Sequence, residues 1–162
     1  MKKLILLIFA IYAISANAQS FSLQQVNDSL SRLILTTDNG SDYWMVRYPV
    51  YRFCVADVNG DGIEEALVGV IKSTRYFHDI DKRLFIYKNI NNRIDRLWMG
   101  SRVGGKIIDF NVKDGKIVCV SKMEDDNYVV AEFTMARFGL EFIRFLAENV
   151  SENEAMNILN QL

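Results

Sequence analysis

The alternation of apolar and polar positions divides the chain into an apolar leader, a short stretch with helical spacing and a long β-like body. Residues 1–18, MKKLILLIFAIYAISANA, carry two lysines and then an unbroken apolar run from Leu4 to Ile14. Leu23, Val26, Leu30, Leu33 and Ile34 then recur at intervals of a helical turn, and Ser22 with Gln25 has the spacing of a capping box, so a short amphipathic helix is predicted there. The turn residues of DNGSD, 38–42, end that pattern. From Val46 to Glu148 the chain is rich in Val, Ile, Phe and Tyr in short runs, which predicts eight strands near 47–56, 65–72, 83–88, 93–99, 105–112, 116–122, 128–136 and 139–146. The ending SENEAMNILNQL has a second capping box, Ser151 with Glu154, and places Ala155, Met156, Leu159 and Leu162 on one helical face.

The two quartets of strands read as an imperfect internal repeat over approximately 46–100 and 104–148. RFCVAD aligns with IIDFNV, EALVGVI with KIVCVSK, RLFIYK with YVVAEF and RIDRLW with LEFIRF. The spacing is about 50 residues, the size of a four-stranded blade. Two blades cannot close a propeller, so their apolar faces must be buried against each other or in self-association. The expected architecture is a single mainly β domain over 19–162: two four-stranded antiparallel meanders packed together, with a short helix at each end.

The leader has the charged start, apolar centre and small-residue end of a secretory signal peptide, with cleavage expected after Ala18. The product is expected to be periplasmic or secreted. No membrane insertion is expected after cleavage, since no later run approaches the length of a spanning helix. Lys and Arg total 19 against 20 Asp and Glu, and both signs are interspersed, which argues against a nucleic-acid partner. Cys54 and Cys119 sit in the apolar runs FCVA and VCV. They fit either two buried thiols or one disulfide closing a long loop.

The most informative stretch is DVNGDGIEEALVG, residues 57–69. Calcium takes six to eight oxygens, and a short loop supplies them when acidic or amide side chains alternate with residues that point away. Counted from Asp57, side-chain oxygens fall at positions one, three, five and nine, which are Asp57, Asn59, Asp61 and Glu65. Gly62 permits the sharp turn and the Ile63 carbonyl adds a ligand. Position twelve is Val68 and the sequence continues as a strand, which excludes an EF-hand. A bare hairpin turn would need only one of the two Asx-Gly pairs present.

DVNGDGIEEALVGV, preceded by RFCVA, resembles the Asp-x-Asn-Gly-Asp-Gly loop of FG-GAP or VCBS-type repeats, the integrin α-like blades. The resemblance implies a calcium ion in the hairpin between the first two strands of a blade, held by Asp57, Asn59, Asp61, the Ile63 carbonyl and Glu65. Glu65 departs from the Asp usual at that place. NVKDGK, at the equivalent turn of the second quartet, lacks the ligands. The wider stretch, through KRLFIYK, RIDRLWMGSR and EFIRFLAE, is similar to small bacterial secreted or cell-envelope proteins that carry one such loop.

Little else carries chemistry. His78 is the sole histidine, which rules out a multi-histidine zinc site, and pairing it with Cys54 as nucleophile and base conflicts with the apolar setting of that thiol. Asp79, Asp81, Glu124, Asp125 and Asp126 are available as paired carboxylates for glycoside hydrolysis. The aromatic and charged segment YFHDIDKR together with RLWMGSR offers Tyr76, Phe77, His78, Arg83, Trp98 and Arg102 as a surface for a sugar or peptide. The expected function is binding rather than catalysis: a calcium-stabilised β module that engages a cell-surface, glycan or protein partner. The alternative is a cell-envelope hydrolase with its acidic groups around residues 76–83.

Overall fold

The computed structural model describes residues 19–100 and 103–162. The leader, and Arg102 among the candidate ligand-binding residues, lie outside the described residues. The described chain is mainly β, in three antiparallel sheets with one C-terminal helix. An N-terminal sheet holds β1 (Ser20–Asn27), β2 (Leu30–Thr37) and β3 (Gly40–Val46). A central sheet holds β4 (Val50–Ala56), β5 (Glu65–Lys72), β6 (Asp81–Ile90) and β7 (Arg93–Met99). A C-terminal sheet holds β8 (Lys106–Lys113), β9 (Lys116–Lys122), β10 (Tyr128–Ala136) and β11 (Gly139–Val150), and helix α1 spans Glu152–Asn160.

The helix expected over residues 22–34 is absent, and the correction changes the architecture. That stretch is β1, a turn at Asp28 and Ser29, and most of β2. The period that matters there is two: Phe21 in β1 and Leu33 and Leu35 in β2 point to one face and are buried. Val26, counted in the helical stripe, is 51% exposed. Burial of alternate side chains against the central sheet outweighs the weak helical spacing. The fold is therefore three stacked sheets and one helix, in place of two sheets with a helix at each end.

The stack explains the hydrophobic patterns. Leu33, Leu35 and Val46 of the N-terminal sheet pack on Ala66, Val68 and Val70 of β5 and on Phe85 and Tyr87 of β6. The opposite face of the central sheet, with Leu67, Leu84 and Ile86, packs on Ile107, Phe110, Ile117, Cys119 and Phe133 of the C-terminal sheet. β5 is covered on both faces, so it reads as a continuous apolar run instead of alternating. β9 is sandwiched likewise, with Val118 and Val120 under Ala155 and Leu159 of α1. That helix starts as expected: the Ser151 hydroxyl accepts from the Glu154 N–H while the Glu154 carboxylate accepts from the Ser151 N–H.

Two contacts fix how closely the sheets approach. A side chain at Gly69, midway along β5, would place its Cβ 2.6 Å from the Tyr51 ring and 2.9 Å from the Phe110 ring, so only glycine admits those two aromatics. Across the same seam Arg52 of β4 makes a two-pronged ion pair with Asp109 of β8. Cys54 and Cys119 are free thiols. Burial raises both, and that of Cys119 is pushed up to about 12.

Candidate metal centre

The loop joining β4 to β5 is built by its own side chains. The Asp57 carboxylate accepts the N–H of Gly60 at 2.7 Å and of Gly62 at 2.9 Å, which curls the chain around it. Gly60 and Gly62 have φ of +77° and +82°, in the left-handed region that glycine reaches without penalty. Asn59 Oδ1 accepts from the Asp61 N–H at 2.8 Å, and Asp61 Oδ1 accepts from the Ile63 N–H at 2.8 Å. Alternate residues thus turn their oxygens inward, the reason for the odd-position spacing in the sequence.

Glu65, the first residue of β5, closes the ring from below and is only 1% exposed. Its carboxylate accepts the Val58 N–H at 3.1 Å and the Asn59 Nδ2 at 2.8 Å. That same Asn59 nitrogen donates to Asp61 Oδ2 at 3.0 Å, so a single amide group holds two carboxylates together. Burial pushes the Glu65 carboxyl up to about 7, and the charges of Asp61 and Asp57 add to the rise against the opposing hydrogen bonds. The Asn59 amide therefore links the Asp61 and Glu65 carboxylates, while Asp57 curls the same loop through the Gly60 and Gly62 N–H groups.

Among the described residues no group of three or more His, Cys, Asp or Glu side chains converges into a metal-holding set. The chemistry of the donor set nevertheless fits a hard cation. Every side chain in the ring offers oxygen, three of them are carboxylates, and the Ile63 carbonyl belongs to the same turn.

Residues that the sequence did not nominate hold this loop in place. Val58, between two of the acids, is buried in the core between the central and C-terminal sheets. Gly115, in the turn between β8 and β9, lies against the loop, since an added Cβ would sit 3.0 Å from the Asp57 carbonyl oxygen. Gln19 donates to the Glu64 carbonyl at 2.8 Å and accepts from Asn89 at 2.8 Å. The apolar Val58 inside an acidic loop was a visible signal of anchoring; nothing in the sequence announces Gln19, which lies 45 residues from its loop partner.

The other nominated residues do not form one site. Tyr76, Phe77 and His78 lie in the loop between β5 and β6, at the opposite end of β5 from the acidic loop, roughly 27 Å away for eight residues of strand. Tyr76 is 78% exposed, whereas Arg83 is fully buried and donates to the Lys72 and Asp79 carbonyls, pinning the loop from beneath. Trp98 pairs across the strands with Ile86 and packs over Gly100 and Gly139, away from that loop. Asp81 is turned toward Arg83 and Lys106, each at 3.8 Å, and Asp79 is exposed. Asp125 and Asp126 sit in the turn after β9, where Asp126 pairs with Lys122 at 2.7 Å. Among the described residues no helix is long and apolar enough to cross a membrane. No protein-family model, curated protein or solved structure matches the chain.

Proposed function

We propose that the chain is an exported β module, stabilised by calcium at the Asp57–Glu65 loop, that binds a cell-surface, glycan or protein partner and is not a hydrolase. The observation that carries the calcium reading is Glu65: a carboxyl group 1% exposed, lifted to about 7 and set among two further carboxylates. A buried acid in such company is stabilised by a cation, which offsets both its desolvation and the mutual repulsion. Asp57, Asn59, Asp61, the Ile63 carbonyl and Glu65 would hold the ion, and water would complete its shell. The ion's role is structural, tying the β4–β5 hairpin to the seam where Val58 is buried.

The stacked four-stranded meanders support a blade-like kinship with FG-GAP or VCBS-type repeats, in which the second quartet has kept the strands and lost the ligands. The test is thermal unfolding with and without calcium. A dissociation constant on the order of 0.1 to 1 mM is expected for an extracellular module. At a hundredfold excess over that constant the native state gains about 2.7 kcal/mol. Asp61→Ala should abolish most of that gain and Asp114→Asn, in the ligand-poor turn, should preserve it. No calcium response at several millimolar, or equal loss in both variants, overturns the calcium reading.

A further inference from the structure

At the end of the molecule away from the acidic loop, the pairing of β7 with β6 stops short of the start of β6. β7 ends at Met99, which pairs with Phe85 of β6. Beyond Gly139, where Trp98 packs, the face of the C-terminal sheet toward the central sheet is open along β11 among the described residues. Phe145 pairs with Ala131 on that face and is 43% exposed; Phe142, 53% exposed, lies 4.8 Å from it ring to ring. The result is a cleft of about 660 Å³ with Met123, Val129 and Phe145 among its apolar lining and the backbone of Gly104 and Gly105 along one side. A volume of this size accommodates a few side chains of a ligand.

The rim is acidic beyond its own needs. Lys122 is engaged by Asp126, and Lys106 lies near Asp81. Asp125 is held by the Asn127 amide at 3.0 Å. Glu124 and Glu148, both exposed on the rim, have no hydrogen bond or ion pair among the described residues. Pairing between β11 and another strand is discouraged, because the register of this edge shifts at three places. What the cleft favours is side-chain capture: apolar groups into the aromatic lining, with a cation beside them for the two open carboxylates.

We propose that the cleft between residues 104–106 and β11 is a docking groove for a peptide segment that carries apolar side chains next to lysine or arginine. This deepens the binding-module reading and rests on it, but not on the calcium loop, which lies at the opposite end of the sheets.

The probe is a short fluorescein-labelled peptide of alternating leucine and lysine, titrated by anisotropy beside its leucine–glutamate counterpart. The protein should bind the lysine peptide and not the glutamate one. Phe145→Ser, and Glu124→Gln combined with Glu148→Gln, should each weaken binding about tenfold or more, whereas Phe138→Ser, on the far turn and 91% exposed, should change nothing. The double Gln variant alters exposed side chains only and carries the test if Phe145→Ser unfolds. Absence of binding, or equal binding by all variants, overturns the proposal, as does a dimer of the parent that Phe145→Ser dissolves. Calcium-dependent melting of the same samples separates the two readings: a normal calcium response without peptide binding removes the groove and leaves the loop.

Discussion

Glu65 makes the metal-free protein an unusual acid responder. Its ordinary value is 4.5 and its folded value about 7, so the native state holds a proton that the unfolded chain releases throughout that interval. Stability changes with pH as the difference in bound protons between the unfolded and native states, and that difference is negative here. The sign is the reverse of the usual salt-bridged carboxylate: the stability contributed by Glu65 is fully present below 4.5, falls as pH rises, and is gone above 7. Two and a half pH units of displacement correspond to about 3 kcal/mol lost between the two limits. Carboxylates held low by partners, such as Glu132 and Glu154, act in the opposite sense but below the ordinary glutamate value, outside this window. The assay is urea unfolding in the presence of a chelator at intervals from pH 5 to 8, for the parent and Glu65→Gln. Gln leaves either Val58 N–H or Asn59 Nδ2 facing an amide nitrogen, so the slope and not the absolute stability is the readout. Calcium at several millimolar should flatten the slope near pH 7. A parent whose stability is flat or rises over pH 5 to 8, or a slope unchanged in Glu65→Gln, refutes the reasoning.

Three further outcomes are expected. Gly69→Ala forces a methyl group against Tyr51 and Phe110 and should cost about 1 to 3 kcal/mol in urea unfolding; a neutral effect would mean that the seam is looser than its contacts imply. Leu33→Ala should cost about 2 to 5 kcal/mol and lower a single cooperative transition, because the N-terminal sheet shares its core with the central one; an unchanged midpoint would show that the sheet is an appendage. In the native protein at neutral pH, iodoacetamide should modify half-buried Cys54 slowly and leave Cys119 untouched, while both react in urea; equal native rates contradict the burial that raises Cys119.

The strands from β4 onward were legible because their signals are local. Asp114-Gly115 and Asn91-Asn92 occupy left-handed turns that these residue types tolerate, and the runs between them are β-branched or aromatic. The acidic loop was legible for a related reason: the oxygens of Asp57, Asn59 and Asp61 each cap an amide two to five residues away, so spacing alone encodes the curl. The N-terminal sheet was not. Leu23, Val26 and Leu30 mimic a helical stripe, and only the buried face of β5 and β6, far along the chain, selects the alternation of Phe21, Leu33 and Leu35 instead. Arg83 was misleading in another way, since a charged residue in a loop-rich stretch suggests a ligand contact whereas burial devotes it to backbone carbonyls. The cleft beside β11 depends on where β7 stops relative to a different sheet, and no local pattern reports that.

The order of the strands bears on how the chain reaches this structure. In each of the three sheets, neighbours in space are neighbours in sequence, with no strand inserted from elsewhere. Every pairing can begin as a hairpin, an event on the order of 1 to 10 µs, and the long loop closures that slow many β proteins are not required. A chain delivered from its N-terminus can therefore complete one sheet before the next arrives, and each finished sheet offers a template for the one that follows. The helix, which follows the three sheets in the chain, then seals the face of β9 that would otherwise be left open to a neighbouring molecule.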